Sequence, residues 1–81
     1  DIIINEYFFE KSSLANIKIK DDKIHSFFLF DGEIYLKGLD FKKGDFFTVS
    51  KVENIDILAQ KSSKLFEISS PIKPSYRTYS N

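Results

Sequence analysis

The sequence predicts an all-β domain, built as a small antiparallel β-barrel or jelly roll with little or no helix. Short runs of β-branched and aromatic residues recur along the chain, and polar clusters such as "EKSS", "KDD" and "QKSS" separate them about every ten residues. Helical periodicity is weak throughout. This spacing is typical of antiparallel sandwiches and barrels, because each polar turn reverses the chain after one short strand.

About seven short strands are predicted. In chain order they are Ile2 to Phe9, Leu14 to Lys20, Ile24 to Phe30, Glu33 to Lys37, Asp45 to Ser50, Ile55 to Ala59 and Leu65 to Ser69. The segment "SSPIKPSYRTYSN" holds both prolines of the chain. We therefore expect residues 1–72 to form the domain and residues 73–81 to form an extended or mobile tail.

Alternation within the strands separates inward from outward positions. In "NIKIK" the side chains of Ile17 and Ile19 point one way and the polar residues point the other, so this strand has one solvated face. In "IHSFFLF" large apolar side chains fall on both faces: Ile24, Phe28 and Phe30 on one, Phe27 and Leu29 on the other. We expect this strand to be central, with both of its faces covered.

Two glycines mark the turns that follow this central strand. Asp31 and Gly32 predict a tight hairpin into "EIYLK", because both residues tolerate positive φ. In "DFKKGD", Gly44 stands where a left-handed residue is expected before Phe46 and Phe47 return to the core.

Charge and composition narrow the possible partners and location. Twelve basic residues balance twelve acidic ones, and they interleave along the chain, so no charge argument favours nucleic acid or an anionic membrane. Runs such as "FFLF" are far shorter than the roughly 20 residues that span a bilayer. The lack of Cys suits a reducing cytoplasm, which is the expected location. Since the chain also lacks Met, we expect one domain of a longer protein.

The stretch "FFLFDGEIYLKGLDFKKGDFFTVSKVENIDILAQKSSKLFEISSP" resembles the heart of a cupin barrel. Gly32, Gly44 and Asp45 carry the match, in a Gly turn and a later "GD" turn before the second strand pair. More narrowly, "DGEIYLKGLDFKKGD" followed by "IDILAQKSSKLFEISSP" resembles the C-terminal cupin domain of pirin and quercetinase-like bicupins. The resemblance covers about residues 1–72 and implies a cupin-like jelly roll.

The metal ligands of catalytic cupins are not matched. Counting back from Gly32, His25 occupies the Glu position of the first motif, and the two His positions fall near residues 18–19 and 20–21, which hold no histidine. In the second motif the last His falls near Ile55, with Ser50 and Val52 where Pro and Gly are usual. A divalent metal needs three or four converging donors, and the chain has one His. We expect no metal, no cofactor and no catalytic residue.

His25 is the one candidate for chemistry, because imidazole titrates near neutral pH. The alternative, which we favour, is a buried neutral ring that is hydrogen-bonded to backbone or to a carboxylate. A remnant ligand pocket would be lined by His25, Phe27, Phe47 and Ile55, together with Ile17, Ile19 and Ile57. Filling of the interior by these same side chains is the simpler expectation.

Three functions are compatible with the sequence. The resemblance implies a metal-free, non-catalytic domain that packs on a partner cupin domain or on a second copy in a homodimer. A stand-alone cupin could instead bind a small, sugar-like molecule at the barrel mouth. In the third, an OB-like barrel would stack single-stranded nucleic acid on Tyr7, Phe9, Tyr35 and Phe46, but such barrels usually add a basic groove, so we expect no nucleic-acid partner.

Overall fold

The computed structural model describes residues 2–71, which form eight β-strands. They are β1 (Ile3–Phe9), β2 (Leu14–Lys18), β3 (Lys23–Asp31), β4 (Glu33–Leu36), β5 (Leu39–Lys42), β6 (Phe46–Val49), β7 (Asn54–Ala59) and β8 (Ser63–Pro71). Within these residues the structure is all-β. Accordingly, this part of the chain holds no helix long and apolar enough to cross a membrane. The predicted tail, residues 73–81, lies outside the described residues.

The strands form two four-stranded antiparallel sheets. One has the order β1-β8-β3-β6 and the other β2-β7-β4-β5. The chain crosses between the sheets after β1, β2, β3, β5, β6 and β7, and only β4 and β5 are sequential neighbours in one sheet. This connectivity is that of an eight-stranded jelly roll, in which the two sheets enclose the core.

Two details of the predicted strands are wrong. The turn predicted at "DFKKGD" begins too early, because Leu39–Lys42 forms β5, an edge strand four residues long that pairs with β4. The turn at Asp31 and Gly32 is not a hairpin, because β3 and β4 lie in different sheets. The true hairpin is one turn later, at Lys37 and Gly38, where both residues have positive φ.

Gly32 instead carries the chain from one sheet to the other. It has a φ of +95°, and a Cβ placed on it would lie 2.1 Å from Ser63 Oγ and 2.5 Å from the Ser62 carbonyl oxygen. Ser63 Oγ accepts a hydrogen bond from the Glu33 N–H at 3.1 Å and donates to the Lys61 carbonyl at 2.7 Å. The crossing is therefore packed directly against the start of β8, which excludes any side chain at position 32.

The core lies between the two sheets and is mainly hydrocarbon. Ile17 and Ile19 point into it, as the alternation in "NIKIK" predicts. The other buried apolar residues are Phe27, Leu29, Ile34, Leu36, Ile55, Ile57, Ala59 and Leu65. Phe27 stacks on Phe47 with ring centroids 5.0 Å apart, and Phe47 contacts Phe41 at 4.4 Å. Of the residues that the sequence analysis placed in the interior, Ile17, Ile19, Phe27, Ile55 and Ile57 are buried, and Phe47 packs partly buried against them.

β3 is central, as predicted, with β8 on one side and β6 on the other. Its inward face is buried, but the expectation that both faces are covered is wrong. Ile24, Phe28 and Phe30 are all partly exposed on the outside of the sheet. The sequence pattern was right about which residues share a face, and the outer face lacks a covering layer within the described residues.

Candidate functional site

Within residues 2–71, a polar cluster centred on Glu67 in β8 lies in the interior. Its carboxylate is 2 % exposed and faces the core. Asn5 Nδ2 donates to Glu67 Oε1 at 3.1 Å, and the Tyr7 hydroxyl donates to the same oxygen at 2.6 Å. The other oxygen, Oε2, accepts from Nδ1 of His25. Three strands therefore contribute to the cluster, because β8 lies between β1 and β3.

The second ring nitrogen of His25 contacts the backbone. The Lys20 backbone N–H donates to His25 Nε2 at 3.2 Å, which requires a lone pair on that nitrogen. The ring proton is therefore on Nδ1, and it is donated to Glu67. Both ring nitrogens of His25 are therefore engaged, one with the backbone and the other with the carboxylate. His25 is thus buried and hydrogen-bonded to backbone and to a carboxylate, the two kinds of partner that the sequence analysis named.

Hydrogen bonds keep Glu67 ionised in the core. Burial acts to raise the pKa of the Glu67 carboxyl, but hydrogen bonds from Tyr7, His25 and Asn5 together outweigh it and hold that pKa below its ordinary value. The pKa of Tyr7 moves the other way, to about 12, because of burial and because its hydroxyl donates to the carboxylate. The cluster is self-contained: a buried anion with its donors supplied by the fold.

This cluster does not fit a metal ion. No group of three or more His, Asp or Glu side chains in residues 2–71 is arranged to hold one. His25 and Glu67 are bonded to each other, and the remaining ring nitrogen accepts from Lys20. The cluster therefore offers at most two metal-ligating side chains, and the imidazole has no free lone pair. A transition metal requires three or four ligands.

The predicted ligand site is divided by the structure. A cavity of about 410 Å³ opens between the edges of the two sheets, near the β4–β5 turn and the β6–β7 loop. Phe47 and Ile55 line it, whereas His25 and Phe27 are buried in the core and do not. The further lining side chains are mostly apolar, namely Leu36, Leu39, Phe41, Val49 and Val52, with Lys37, Thr48 and Ser50.

The outer face of the β1-β8-β3-β6 sheet is apolar. Cross-strand registers place Phe46, Phe28 and Phe66 side by side in one row, and Ile68 beside Ile4 in the next. We call this surface the aromatic face; its members are Ile4, Phe8, Ile24, Phe28, Phe30, Phe46, Phe66 and Ile68. Phe8 is 71 % exposed and Phe46 62 % exposed. These side chains form one contiguous, largely exposed apolar patch on the outside of the sheet.

Lys64 lies within the aromatic face and is held close to it. Its ammonium nitrogen is 5.2 Å from the ring centroid of Phe8, 5.1 Å from that of Phe30 and 5.7 Å from that of Phe66. It also pairs with Glu6 at 3.2 Å. Cation–π contacts of this kind each contribute about 0.5–1 kcal/mol at exposed sites. The Lys64 ammonium is therefore paired with a carboxylate and lies against the phenylalanine rings.

The opposite outer face, on the β2-β7-β4-β5 sheet, is more polar. Asn16 Nδ2 donates to Asp56 Oδ1 at 2.8 Å and to Asn54 Oδ1 at 3.1 Å. Leu14 and Tyr35 are its large exposed residues with apolar surface. The outward-facing residues of the β1-β8-β3-β6 sheet are thus largely apolar, whereas those of the β2-β7-β4-β5 sheet are mainly polar.

The residues proposed for nucleic-acid stacking do not share a surface. Tyr7 and Phe9 are half-buried against the core, while Tyr35 and Phe46 are exposed on opposite sheets.

The sequence analysis did not identify Glu67 as a member of the site. The alternation of the strand could have identified it, because Glu67 lies on the same inward face of β8 as Leu65 and Ser69. A glutamate on a buried face needs hydrogen-bond donors inside the protein.

The fold is similar to two solved structures of low sequence identity. A chain of the Pcf11p–Clp1p complex superposes with a TM-score of 0.71 at 15 % identity over 90 % of this chain, which spans only 17 % of that one. An RmlC-like cupin from Shewanella frigidimarina NCIMB 400 superposes with a TM-score of 0.68 at 15 % identity, over 93 % of this chain and 70 % of that one. No family model and no curated protein matches the sequence. The chain has a cupin-like jelly-roll fold.

Proposed function

We infer that this chain is a non-catalytic, metal-free, cupin-like domain that binds another protein through the aromatic face. Following the sequence resemblance, we propose that it is the C-terminal domain of a pirin-like bicupin. Any metal chemistry of such a protein would belong to its other cupin domain. The single observation that carries this proposal is the difference in polarity between the outer faces of the two sheets. One displays eight large apolar residues, and the other is mainly polar.

The interior supports a binding role over a catalytic one. His25 and Tyr7 each donate a hydrogen bond to Glu67. All buried side-chain nitrogen and oxygen atoms within residues 2–71 have a hydrogen-bond partner. A catalytic acid, base or nucleophile needs a polar atom that can reach substrate, and the cluster offers only groups already engaged with the fold.

Protein is a better partner for the aromatic face than nucleic acid. Stacking proteins combine exposed rings with several cations that neutralise phosphates. The strands of this face contribute Lys64 to the surface, and Lys64 is already paired with Glu6. An apolar protein surface, in contrast, needs no charge from this side and gains from the burial of the phenylalanine rings.

The test is the size of the assembly that the chain forms in cells that make it naturally. A Phe8→Lys, Phe46→Lys double variant places charge on the aromatic face, and Leu14→Lys, at a 77 % exposed position on the polar sheet, is the matched control. We expect the wild type and the control to elute in a larger assembly and the double variant to elute alone. Identical elution of all three would refute the proposal. Circular dichroism checks that each variant is folded.

A second candidate function rests on the open cavity. Its 410 Å³ lies within the range of small-molecule sites, and its apolar lining with Lys37 at the rim suits a small amphipathic molecule better than a sugar. Ligand screening by amide NMR would support it if shifts cluster at Phe41, Phe47 and Val49. Shifts confined to the aromatic face, or none, would remove it.

A further inference from the structure

We propose that the free edge of β6 binds an extended peptide segment of another protein, which adds a further strand to the β1-β8-β3-β6 sheet. The peptide would send alternate apolar side chains into the neighbouring cavity and place an Asp or Glu side chain beside Lys37. The proposal goes beyond docking through the aromatic face, because it concerns the edge of the sheet and not its outer surface. It also names a peptide, in place of a small molecule, as the occupant of the cavity.

Among the edge strands in residues 2–71, β6 alone carries no charged residue. The edge strands are β1 and β6 in one sheet and β2 and β5 in the other. β1 contains Glu6, and β2 ends at Lys18. β5 contains Asp40 and Lys42. Charges on an edge strand discourage pairing with a foreign strand. The sequence of β6, "FFTV", has no such charge and consists of residues that favour strands.

The backbone of β6 presents hydrogen-bonding groups along this edge. Leu29 of β3 donates its N–H to the Asp45 carbonyl oxygen at 2.9 Å, just before β6 begins. Backbone groups alternate in direction along an antiparallel strand, so those of Phe27 also point towards β6, where they meet Phe47. Thr48 follows in β6 and therefore directs its N–H and C=O away from β3. An extended peptide supplies the matching donors and acceptors in a row.

The cavity of about 410 Å³ lies directly beside this edge. A short turn joins β5 to β6, closed by a hydrogen bond from the Asp45 N–H to the Lys42 carbonyl oxygen at 2.9 Å. The ring of Phe41 in β5 packs on that of Phe47 in β6, and Val49 lines the cavity further along. A strand added to β6 would direct every second side chain to the side of Phe47 and Val49, which is the side of the cavity.

The charge at the cavity favours an acidic peptide. Lys37 is the charged residue among those that line the cavity, and it forms no ion pair within residues 2–71. It precedes β5 and so lies near the end of β6, where Val49 and Ser50 also line the cavity. An antiparallel peptide, the more stable arrangement, would begin at this end. The carboxylate that meets Lys37 would therefore be an Asp or Glu side chain near the start of the peptide.

Selection of phage-displayed random heptapeptides, flanked by glycine–serine spacers, on the purified chain tests the proposal. We expect enriched sequences with an Asp or Glu near the start and large apolar residues at alternate positions after it. The enriched heptapeptide is then synthesised and titrated by fluorescence anisotropy. Lys37→Gln should weaken its binding about fivefold. Exchange of the peptide's acid for its amide should cost a similar factor and make binding indifferent to Lys37→Gln.

The edge itself is tested through the backbone. Thr48→Pro removes an N–H that the pairing with β3 does not use, so the variant should stay folded by circular dichroism and bind at least about tenfold more weakly. Thr48→Val keeps the N–H and should bind as the wild type does. A second measurement uses the wild type alone. N-methylation of the peptide at successive residues should weaken binding at alternate residues, because only every second N–H faces β6.

Each other outcome overturns the edge site. These outcomes are a selection without enriched sequences, a folded Thr48→Pro variant that binds as the wild type does, and an N-methylation series without alternation. Phe8→Lys, on the aromatic face, should leave binding of the heptapeptide unchanged. Loss of binding in Phe8→Lys would place the peptide on the aromatic face, which removes the edge site and leaves the docking function intact.

Discussion

Glu67 accepts a hydrogen bond from Nδ1 of His25 in the middle of the hydrocarbon core, and this pair joins β8 to β3. Asn5 and Tyr7 add donors from β1. The four side chains together therefore link three of the four strands that carry the aromatic face. A buried carboxylate held in this way specifies strand register, because a slip by one residue would move Glu67 to the outside and leave its donors unpaired.

Replacement of Glu67 should be costly. In Glu67→Gln the negative charge and one acceptor oxygen are lost, which leaves buried donors without partners, so we expect a loss of about 3 kcal/mol in the free energy of unfolding. Glu6→Gln is the control, since Glu6 pairs with Lys64 on the surface, and its cost should stay within about 0.5 kcal/mol. Urea denaturation measures both, and equal effects would contradict the account.

Acid should remove the stabilisation that Glu67 provides. Its pKa in the folded state lies below the ordinary value of 4.5, so folding favours the ionised form. That contribution is complete above pH 4.5 and is lost as pH falls through the lowered pKa. The difference in unfolding free energy between the wild type and Glu67→Gln should therefore shrink below pH 4.5. A difference that stays constant down to pH 3 would argue against an ionised Glu67.

Alkali should act through Tyr7. Its pKa is raised from 10.0 to about 12, so the folded state holds the phenolic proton more tightly than the unfolded state does. Stability from this source is complete below pH 10 and is lost as pH rises towards 12. Two pKa units correspond to about 2.7 kcal/mol, which solvent screening at this half-buried residue reduces to about 1 kcal/mol.

The Tyr7→Phe variant provides the measurement. It should be less stable than the wild type at neutral pH by about 1 kcal/mol, and the gap should close above pH 10. Tyr35→Phe, at an exposed position on the polar outer sheet, should change the stability by no more than about 0.5 kcal/mol. A Tyr7→Phe gap that does not depend on pH would show that the hydroxyl does not titrate with folding.

Gly32 should tolerate no side chain. Both Gly32 and Gly44 have a φ of +95°, so alanine at either position costs about 1–2 kcal/mol of backbone strain. Only at Gly32 does the new Cβ meet Ser62 and Ser63, whereas nothing lies within 4 Å at Gly44. Gly32→Ala should thus be less stable than Gly44→Ala by at least about 2 kcal/mol in thermal or urea unfolding. Matching values would mean that the crossing is loosely packed.

Local periodicity predicted most of the fold. The alternation around Ile17 and Ile19 identified the inward face of β2, and the mixed pattern of β3 identified a central strand. Periodicity could not say that the outer side of β3 stays exposed, because coverage depends on what packs against a sheet. It also missed β5, whose four residues are too few to establish a period beside the turn at Gly38.

The candidate site was less predictable. The sequence analysis singled out His25, which is buried, but its partner Glu67 lies 42 residues away along the chain. Only the antiparallel pairing of β3 and β8 brings the two together. The aromatic face has the same origin: Phe28, Phe46 and Phe66 come from three separate strands, and the sheet order makes them one surface.

The most direct test of the docking function is site-specific photo-cross-linking in cells that make the protein. A photoreactive phenylalanine analogue replaces either Phe8 on the aromatic face or Leu14 on the polar sheet, two positions of nearly equal exposure. The account predicts covalent protein adducts from position 8 and few or none from position 14. Adducts from position 14 alone, or equal yields from both, would contradict it.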